Sequence, residues 1–373
     1  SPSVILEVAT TYTLAQCREL QFTQKNDVVV ITHQAHHPKD LTRVSATSFT
    51  IANHALTPTD PFGSGEFPRC CLFYKSRLYF ANTASKPTTV WGSEAGDFNI
   101  YTIASPHTAI SPLEFTPSEI TQPIDWLFGG ENSLLLGCAE GIVTVNGGGV
   151  GVAITASTIE ADLTSTDGSN SQIPITKDSL IFYEGKNSRN IYYFSFDLLT
   201  ESFNAKDANV LSYDITRGDL QKIKAKKDRN DLIYSFRGDG KLLSLNFKES
   251  ENIIGWHTHS TQGSFKDIAV ISDNDGNPQL FALVDRAGTF YIERQADKVE
   301  FSERSSFFSG KTKAHEDADD EAYNRKVSEE LTQCNYLDNS LILSDLKESN
   351  LITYDSGAGT ITDTDGVFVA GDV

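Results

Sequence analysis

The sequence contains no methionine, no Cys-x-x-Cys motif and no apolar stretch near the ~20 residues that a membrane-spanning helix needs. The N-terminal segment, Ser1–Thr10, lacks the basic and then apolar pattern of a secretory signal peptide. The five cysteines are an odd number, and Cys70 and Cys71 are adjacent, which favours free thiols in a reducing compartment over a disulfide framework. These absences argue against a membrane-inserted or disulfide-stapled protein.

Basic residues are also few. The chain has 31 Lys and Arg against 50 Asp and Glu, which leaves a net charge of −19. Gripping nucleic acid requires clustered Lys and Arg that neutralise phosphates. The composition therefore excludes a nucleic-acid binder that works through a general basic surface, but it allows a surface past which DNA slides. With 373 residues, 22 Phe and 13 Tyr, the chain is expected to fold into one or two domains.

Short β-branched or aromatic runs between turn residues fill most of the chain, and helical periodicity is scarce. Most of the runs pair as hairpins, and Asp239-Gly240 is the clearest turn because this pair supplies the positive φ values that a tight hairpin requires. The central runs begin near positions 28, 71, 125, 179, 232 and 279, so they recur every 43 to 54 residues. Such a recurrence is typical of β-propeller blades. We predict an all-β fold, a β-propeller of about six blades; a long β-sandwich or two stacked barrels would show a similar strand density.

The composition changes after Phe301. The segment 311–331 is strongly charged and poor in β-branched residues, which predicts a small helical segment, and residues 335–373 return to short strands. We therefore predict a propeller over residues 1–300 and, over 301–373, a helical segment with a β-rich extension. The missing initiator Met and the abrupt end at Val373 predict that the chain is cut at both ends.

Three strings resemble ligand-binding loops without completing them. Gly310-Lys311-Thr312 ends like a phosphate-binding loop, but Ser305 stands where that pattern requires glycine. Asn146–Gly151 follows a strand and opens no helix, which indicates a hairpin turn and not a dinucleotide site. Asp273–Asn277 alternates oxygen ligands, but an EF-hand count from Asp273 fails at its glycine and glutamate positions. An ordinary turn is the better interpretation.

Histidines form two groups, His33 with His36 and His37, and His257 with His259. No carboxylate or cysteine stands at ligand spacing beside them, so zinc is the minority interpretation and local hydrogen bonds are the better one. Arg-Gly-Asp occurs twice, at Arg217–Asp219 and Arg237–Asp239, where turn chemistry explains it. Neither a Gly-x-Ser-x-Gly elbow nor a sialidase-type repeat is present. We therefore expect no enzymatic activity and no cofactor.

Several strings together resemble the tail nozzle, or tail tubular (stabilisation), proteins of short-tailed bacteriophages. Leu20–Arg43 and Pro68–Phe98 carry the longest matches. In the first string the matching residues are Gln24, Asp27, His33, Pro38, Leu41 and Arg43. The later matches, in chain order, are Ser212–Leu220, Asp239-Gly240, Gly255–His257 with Gly263, Tyr291–Arg294, Tyr336–Asp338 and Val367–Val373. The adjacent cysteines depart from the family, whose members usually carry apolar residues there.

This resemblance implies a structural virion protein of the phage tail that assembles as a hexamer. It would form a nozzle or tube ring below the head-to-tail adaptor protein, hold a tail fibre or tailspike, and line the channel through which DNA leaves. It would lie in the virion tail and, during assembly, in the host cytoplasm. An acidic wall suits such a channel because it repels phosphates, so DNA would pass without specific binding.

The acidic run 316–321 is the best sequence candidate for the channel wall because it follows the predicted propeller. Its acidic residues are Glu316, Asp317, Asp319, Asp320 and Glu321. The alternative function is a glycan-binding propeller or a glycosidase acting on host surface sugars, with Trp91, Trp126 and Trp256 as stacking platforms. We expect instead that Trp91 and Trp256 are buried and structural, since each stands beside glycine in a turn-rich string.

Overall fold

The computed structural model describes residues 7–103, 105–149, 151–197, 202–227, 232–251, 253–273, 276–295, 352–355 and 360–363. In this part of the chain, helix is limited to one turn, α1 (Tyr213–Thr216), and two 3-10 turns (Gln16–Arg18 and Glu249–Glu251). Everything else that is regular is β-strand, arranged as six successive antiparallel sheets up to Arg294. The predicted fold, a β-propeller of about six blades, is confirmed.

Each of the first five sheets is a four-stranded meander, in which strands adjacent in sequence are adjacent in space. The first two sheets contain β1 (Gln21–Lys25), β2 (Val28–His33), β3 (His36–Ser45) and β4 (Ser48–Asn53), then β5 (Cys70–Tyr74), β6 (Arg77–Ala81), β7 (Val90–Gly92) and β8 (Leu113–Phe115). The third contains β9 (Ile124–Gly129), β10 (Leu134–Cys138), β11 (Ile142–Asn146) and β12 (Glu160–Ser165).

The fourth and fifth sheets repeat this order, and the sixth has three described strands. The fourth contains β13 (Ile175–Lys177), β14 (Leu180–Glu184), β15 (Ile191–Asp197) and β16 (Ser202–Asp207). The fifth contains β17 (Leu220–Lys226), β18 (Leu232–Arg237), β19 (Leu242–Lys248) and β20 (Ile253–His259), and the sixth β21 (Ser264–Ser272), β22 (Pro278–Arg286) and β23 (Thr289–Arg294). The first strand of a sheet contacts the first strand of the next in four of the five gaps, β1 with β5, β5 with β9, β13 with β17 and β17 with β21. These first strands are therefore the innermost ones.

The buried apolar residues of the described chain fall into five clusters, one in each gap between consecutive sheets. Because a strand alternates its side chains, neighbouring residues belong to different gaps. Leu134 and Leu136 pack toward the second sheet, whereas Leu135 packs toward the fourth. Both faces of a middle strand are thus buried, which is why these strands are continuous apolar runs in the sequence.

The same alternation separates the adjacent cysteines. Cys70 belongs to the cluster between the second and third sheets, and Cys71 to the cluster between the first and second. Both are fully buried free thiols, and burial raises the pKa of Cys71 to about 12. They therefore pack as small apolar side chains in two different parts of the core.

The six predicted runs at positions 28, 71, 125, 179, 232 and 279 are strands β2, β5, β9, β14, β18 and β22, each of which begins within one residue of the predicted start. The prediction for the Asp239-Gly240 turn was only half right. Gly240 has a φ of +84°, but Asp239 has a negative one. Gly240 N–H donates to Arg237 O and Arg237 N–H to Lys241 O, which makes a longer turn whose single left-handed residue is Gly240.

Two further strings, Asn146–Gly151 and Asp273–Asn277, were predicted to form turns. Asn146–Gly151 follows β11, and the described residues of this string open no helix, but β12 begins only at Glu160, so the connection is longer than a tight hairpin turn. Asp273 and Asn277 close the β21–β22 turn, since Asn277 N–H donates to Asp273 Oδ1 at 2.8 Å. Both strings are therefore turn or loop segments in the structure.

The chain divides into two compact units, the first of which contains the six sheets and ends at Glu293. In the second unit, β24 (Ile352–Asp355) and β25 (Thr360–Asp363) form an antiparallel hairpin. The predicted boundary near residue 300, the predicted helix over 311–331 and Gly310-Lys311-Thr312 lie outside the described residues. None of the described helices has the length and apolarity to cross a membrane.

Candidate functional site

The acidic residues predicted to line a DNA channel lie outside the described part of the chain. This set comprises Glu316, Asp317, Asp319, Asp320 and Glu321. Their role as a channel wall stays a prediction.

The three tryptophans are core residues. Trp91 is 2% exposed, Trp126 0% and Trp256 8%, so the prediction for Trp91 and Trp256 is confirmed. Trp126 Nε1 donates to Asn170 O at 3.1 Å and Trp256 Nε1 to Ala208 O at 3.0 Å, so both rings fasten loops from inside the fold. The expectation that the three rings serve as sugar-stacking platforms is therefore wrong, because none presents a face to solvent.

The first histidine group makes local polar contacts. His33 Nε2 lies 3.2 Å from Glu19 Oε2, and His36 Nε2 lies 3.1 Å from Gln16 Oε1. The rings of His33 and His36 are 5.4 Å apart. Within the described ranges, no group of three His, Cys, Asp or Glu side chains is placed to hold a metal ion. The contacts agree with the prediction of local hydrogen bonding at strand ends.

The innermost strands of the six sheets carry positive charge, in contrast to the acidic chain. They contain six lysines and two aspartates: Lys25, Lys177, Lys222, Lys224, Lys226, Lys266, Asp125 and Asp267. Lys222 Nζ contacts Asp267 Oδ1 at 2.8 Å. Burial, together with the neighbouring Lys222 charge, lowers the pKa of Lys224. The innermost strands therefore do not share the acidic character of the whole chain.

The two Arg-Gly-Asp strings contact each other. Gly238 N–H donates to both Gly218 O and Asp219 O at 2.9 Å, and Arg237 Nη1 donates to Ile215 O at 2.7 Å. Asp219 has a φ of +53°, as turn residues with short polar side chains tolerate. Both strings therefore act as turn structure, as predicted.

The string Pro68–Phe98 contains a buried arginine that fixes a long loop. Arg77 is 5% exposed and donates through its guanidinium to the carbonyl oxygens of Ser93, Ala109 and Ser111. Five fixed donors on a planar group suit this task, since one side chain satisfies several converging carbonyls. Arg77, which belongs to the string Pro68–Phe98, therefore has a structural role.

The outer strand of the sixth sheet is apolar and open to solvent. On β23, Phe290 is 60% exposed, Tyr291 48% and Ile292 79%. Clustered exposed apolar side chains of this kind mark protein–protein contact surfaces. In contrast to Trp91 and Trp256, Tyr291 and Ile292 of the string Tyr291–Arg294 have no role in the core of the described chain.

A polar cleft of about 420 Å³ lies between the ends of the third and fourth sheets. Three turns form it: the β10–β11 turn, the β12–β13 connection and the β14–β15 turn. The side chains that line it include Glu140, Asp167, Lys186, Asn187 and Tyr192. Sequence reasoning missed this cleft because its walls come from three separate turns; the only signal was that two of these segments are polar and contain glycine, TSTDGSNS (164–171) and EGKNSRN (184–190).

Beside the cleft, a buried carboxyl group ties the third and fourth sheets together. Glu184 is fully buried, its Oε2 accepts from Asn170 Nδ2 at 2.8 Å, and its Oε1 has no hydrogen-bond partner in the described chain. Asn170 Nδ2 also lies 3.2 Å from Ser188 Oγ, and Asn170 O accepts from Trp126. Burial raises the pKa of Glu184 to about 7, and the bond from Asn170 offsets part of that effect.

The fold thus defines the chain as a β-propeller protein. Neither a protein-family model nor a curated protein matches it. Among solved structures, the chain is similar to Kluyvelomyces marxianus Hsv2, with a TM-score of 0.44, 10% identity, and coverage of 79% of this chain and 77% of that one. It is also similar to a protein described as exported from Bacteroides fragilis NCTC 9343, with a TM-score of 0.37, 11% identity, and coverage of 71% and 78%. Scores and identities this low add nothing about the site.

Proposed function

We propose that the protein is a structural, non-enzymatic subunit of a bacteriophage tail, which assembles with five further copies into the nozzle ring below the head-to-tail adaptor. The ordered series of family-like strings carries this proposal. The strings within the described residues fall on or next to the first, second, fifth and sixth sheets, whereas Tyr336–Asp338 and Val367–Val373 lie outside the described residues. An accidental match would not have to keep this order over the whole propeller.

The charge distribution supports a DNA path outside the propeller's own axis. The innermost strands carry six lysines against two aspartates, although the whole chain has a net charge of −19. The acidic surplus must therefore lie elsewhere. Because screening limits exposed charges to a range of about 8 Å at 0.15 M salt, only carboxylates next to the DNA affect its passage. We place the DNA channel on the axis of the ring of subunits.

The exposed strand β23 supports contact with a neighbouring subunit. A ring buries surface between adjacent copies, and Phe290, Tyr291 and Ile292 offer apolar area at a sheet edge. Phe290→Ser with Ile292→Ser should leave the urea stability of the monomer within about 0.5 kcal/mol, because neither side chain is buried. The same pair should weaken assembly of the subunits, measured by analytical ultracentrifugation. Unchanged assembly would remove β23 from the interface.

Negative-stain imaging with a mass measurement tests the proposed function. The sample is the protein alone and the protein added to adaptor-bearing heads. A six-fold ring with a central hole is the expected result on the heads. A protein that stays monomeric both alone and with the heads would refute the nozzle assignment.

A further inference from the structure

The cleft between the third and fourth sheets is lined by one aromatic side chain, the half-buried Tyr192. Tyr192 stacks on Tyr183 with ring centroids 5.4 Å apart and an interplanar angle of 19°. Tyr183 is fully buried and donates from its hydroxyl to Asp167 O at 3.3 Å. Tyr183 thus holds the Tyr192 ring in place at the wall of the cleft.

Two glycines make this arrangement possible. A Cβ on Gly185 would lie 2.8 Å from Tyr192 Cε2, so a larger residue would push the ring from its place. A Cβ on Gly168 would lie 2.1 Å from Ala139 O, so only glycine lets the β12–β13 connection pass this close to the β10–β11 turn. The cleft is therefore built by the local sequence of both sheets.

Polar groups of both charge signs surround the ring. Thr121 donates to Glu140 Oε2 from its backbone N–H at 2.8 Å and its hydroxyl at 3.1 Å, which keeps the pKa of Glu140 below its usual value. The Asp167 carboxylate and the Asn187 amide also line the cleft, and Lys186 adds an ammonium group near Glu140. Two carboxylates against one ammonium disfavour an anion, while carboxylates, amide and ammonium together can bond several hydroxyl groups.

We propose that this cleft binds a neutral carbohydrate, with the Tyr192 ring against one sugar ring and Asp167 and Asn187 on its hydroxyl groups. The volume of about 420 Å³ is within the usual range of small-ligand sites. A rigid ring supplies apolar contact area at low entropic cost, and carboxylate and amide groups orient the hydroxyls. The site is independent of the proposed role in the tail, and no tryptophan takes part.

Saturation-transfer NMR and calorimetry with maltotriose, cellotriose and chitotriose test the proposal, with inorganic phosphate as the anionic probe. At least one trisaccharide should bind with a Kd below about 10 mM. Tyr192→Leu should weaken binding about tenfold or more, and Asp167→Asn about tenfold, because each removes a direct contact. Tyr192→Phe keeps the stacking face and should stay within about threefold of the parent chain.

Matched controls separate the site from the fold. Tyr291→Leu on β23 and Asp162→Asn on β12 make the same chemical changes at exposed positions outside the cleft and should leave binding unchanged. If Tyr192→Leu lowers the melting temperature strongly, its effect on binding cannot be separated from its effect on folding. The binding measurements with Asp167→Asn and Asn187→Ala then decide, because both residues lie on exposed turns. Failure of all three sugars to bind, binding unaffected by Asp167→Asn and Asn187→Ala, or tighter binding of phosphate would each overturn the proposal. None of these results bears on the ring of subunits.

Discussion

The buried Glu184 should make the stability of the propeller depend on pH in a way that a single substitution removes. Its side chain is 0% exposed and receives one hydrogen bond, from Asn170. Burial penalises the charged form, so the pKa rises from 4.5 to about 7 in the folded protein. Glu184→Gln keeps the shape of the side chain and a carbonyl oxygen for Asn170, but it cannot ionise.

The sign follows from the two pKa values. Below pH 4.5 the carboxyl is protonated in both states and contributes no pH dependence. Between pH 4.5 and about 7 the unfolded chain releases the proton while the folded chain keeps it, so stability falls as the pH rises. The difference of about 2.5 pH units corresponds to about 3 kcal/mol, and this penalty is complete above about pH 7.

Urea unfolding at several pH values between 5 and 8.5 measures the effect. The unfolding free energy of the parent chain minus that of Glu184→Gln should fall by about 2–3 kcal/mol over this range. Taking the difference cancels the titration of all other groups. Glu131→Gln, at an exposed position, is the matched control and should give parallel curves. A difference for Glu184→Gln that stays constant to within about 0.5 kcal/mol would refute the reasoning, because the carboxyl would then be solvated or paired.

Three further predictions concern packing, polar burial and charge. A Cβ on Gly137 would lie 2.0 Å from the fully buried ring of Trp126, so Gly137→Ala should cost about 3 kcal/mol in urea unfolding, and Trp126→Phe in the same chain should recover part of it. Arg77→Met should cost about 2–4 kcal/mol, because the carbonyls that Arg77 satisfies lose their donor; an equal cost for the exposed Arg43→Met would contradict this explanation. The chain should not bind duplex DNA at 0.15 M salt in fluorescence anisotropy, and replacing the acids of 316–321 by Lys should slow DNA ejection from particles; unchanged ejection would show that this run is only a solvated surface.

The sequence patterns located the blades but not all of their strands. The middle strands were recognisable because both of their faces are buried, as in Leu134–Leu136, and a continuous apolar run results. The outer strand β12 is mostly exposed, so its residues carry neither an apolar run nor a clean alternation. Its pairing depends on the neighbouring strand rather than on its own composition.

The candidate sites also include features that the sequence predicted and features that it did not. The burial of Trp91 and Trp256 could be predicted, because glycine beside a large ring indicates a filled gap between sheets. The cleft around Tyr192 could not, because three turns far apart in sequence meet there, and turn composition does not reveal which turns become neighbours. The burial of Glu184 could not be predicted either, because a single glutamate at a strand end is usually exposed.

The sequence by itself therefore determined the recurring hairpins, the approximate number of sheets and the acidic character of the chain. These properties depend on local alternation, turn residues and composition, which are written within each repeat of 43 to 54 residues. Only the tertiary structure decided that the innermost strands bear lysines, that Cys70 and Cys71 belong to different cores, and that Tyr192 lines a cleft. Those properties arise from contacts between blades, and the packing of one sheet on the next sets them by geometry that no single repeat contains.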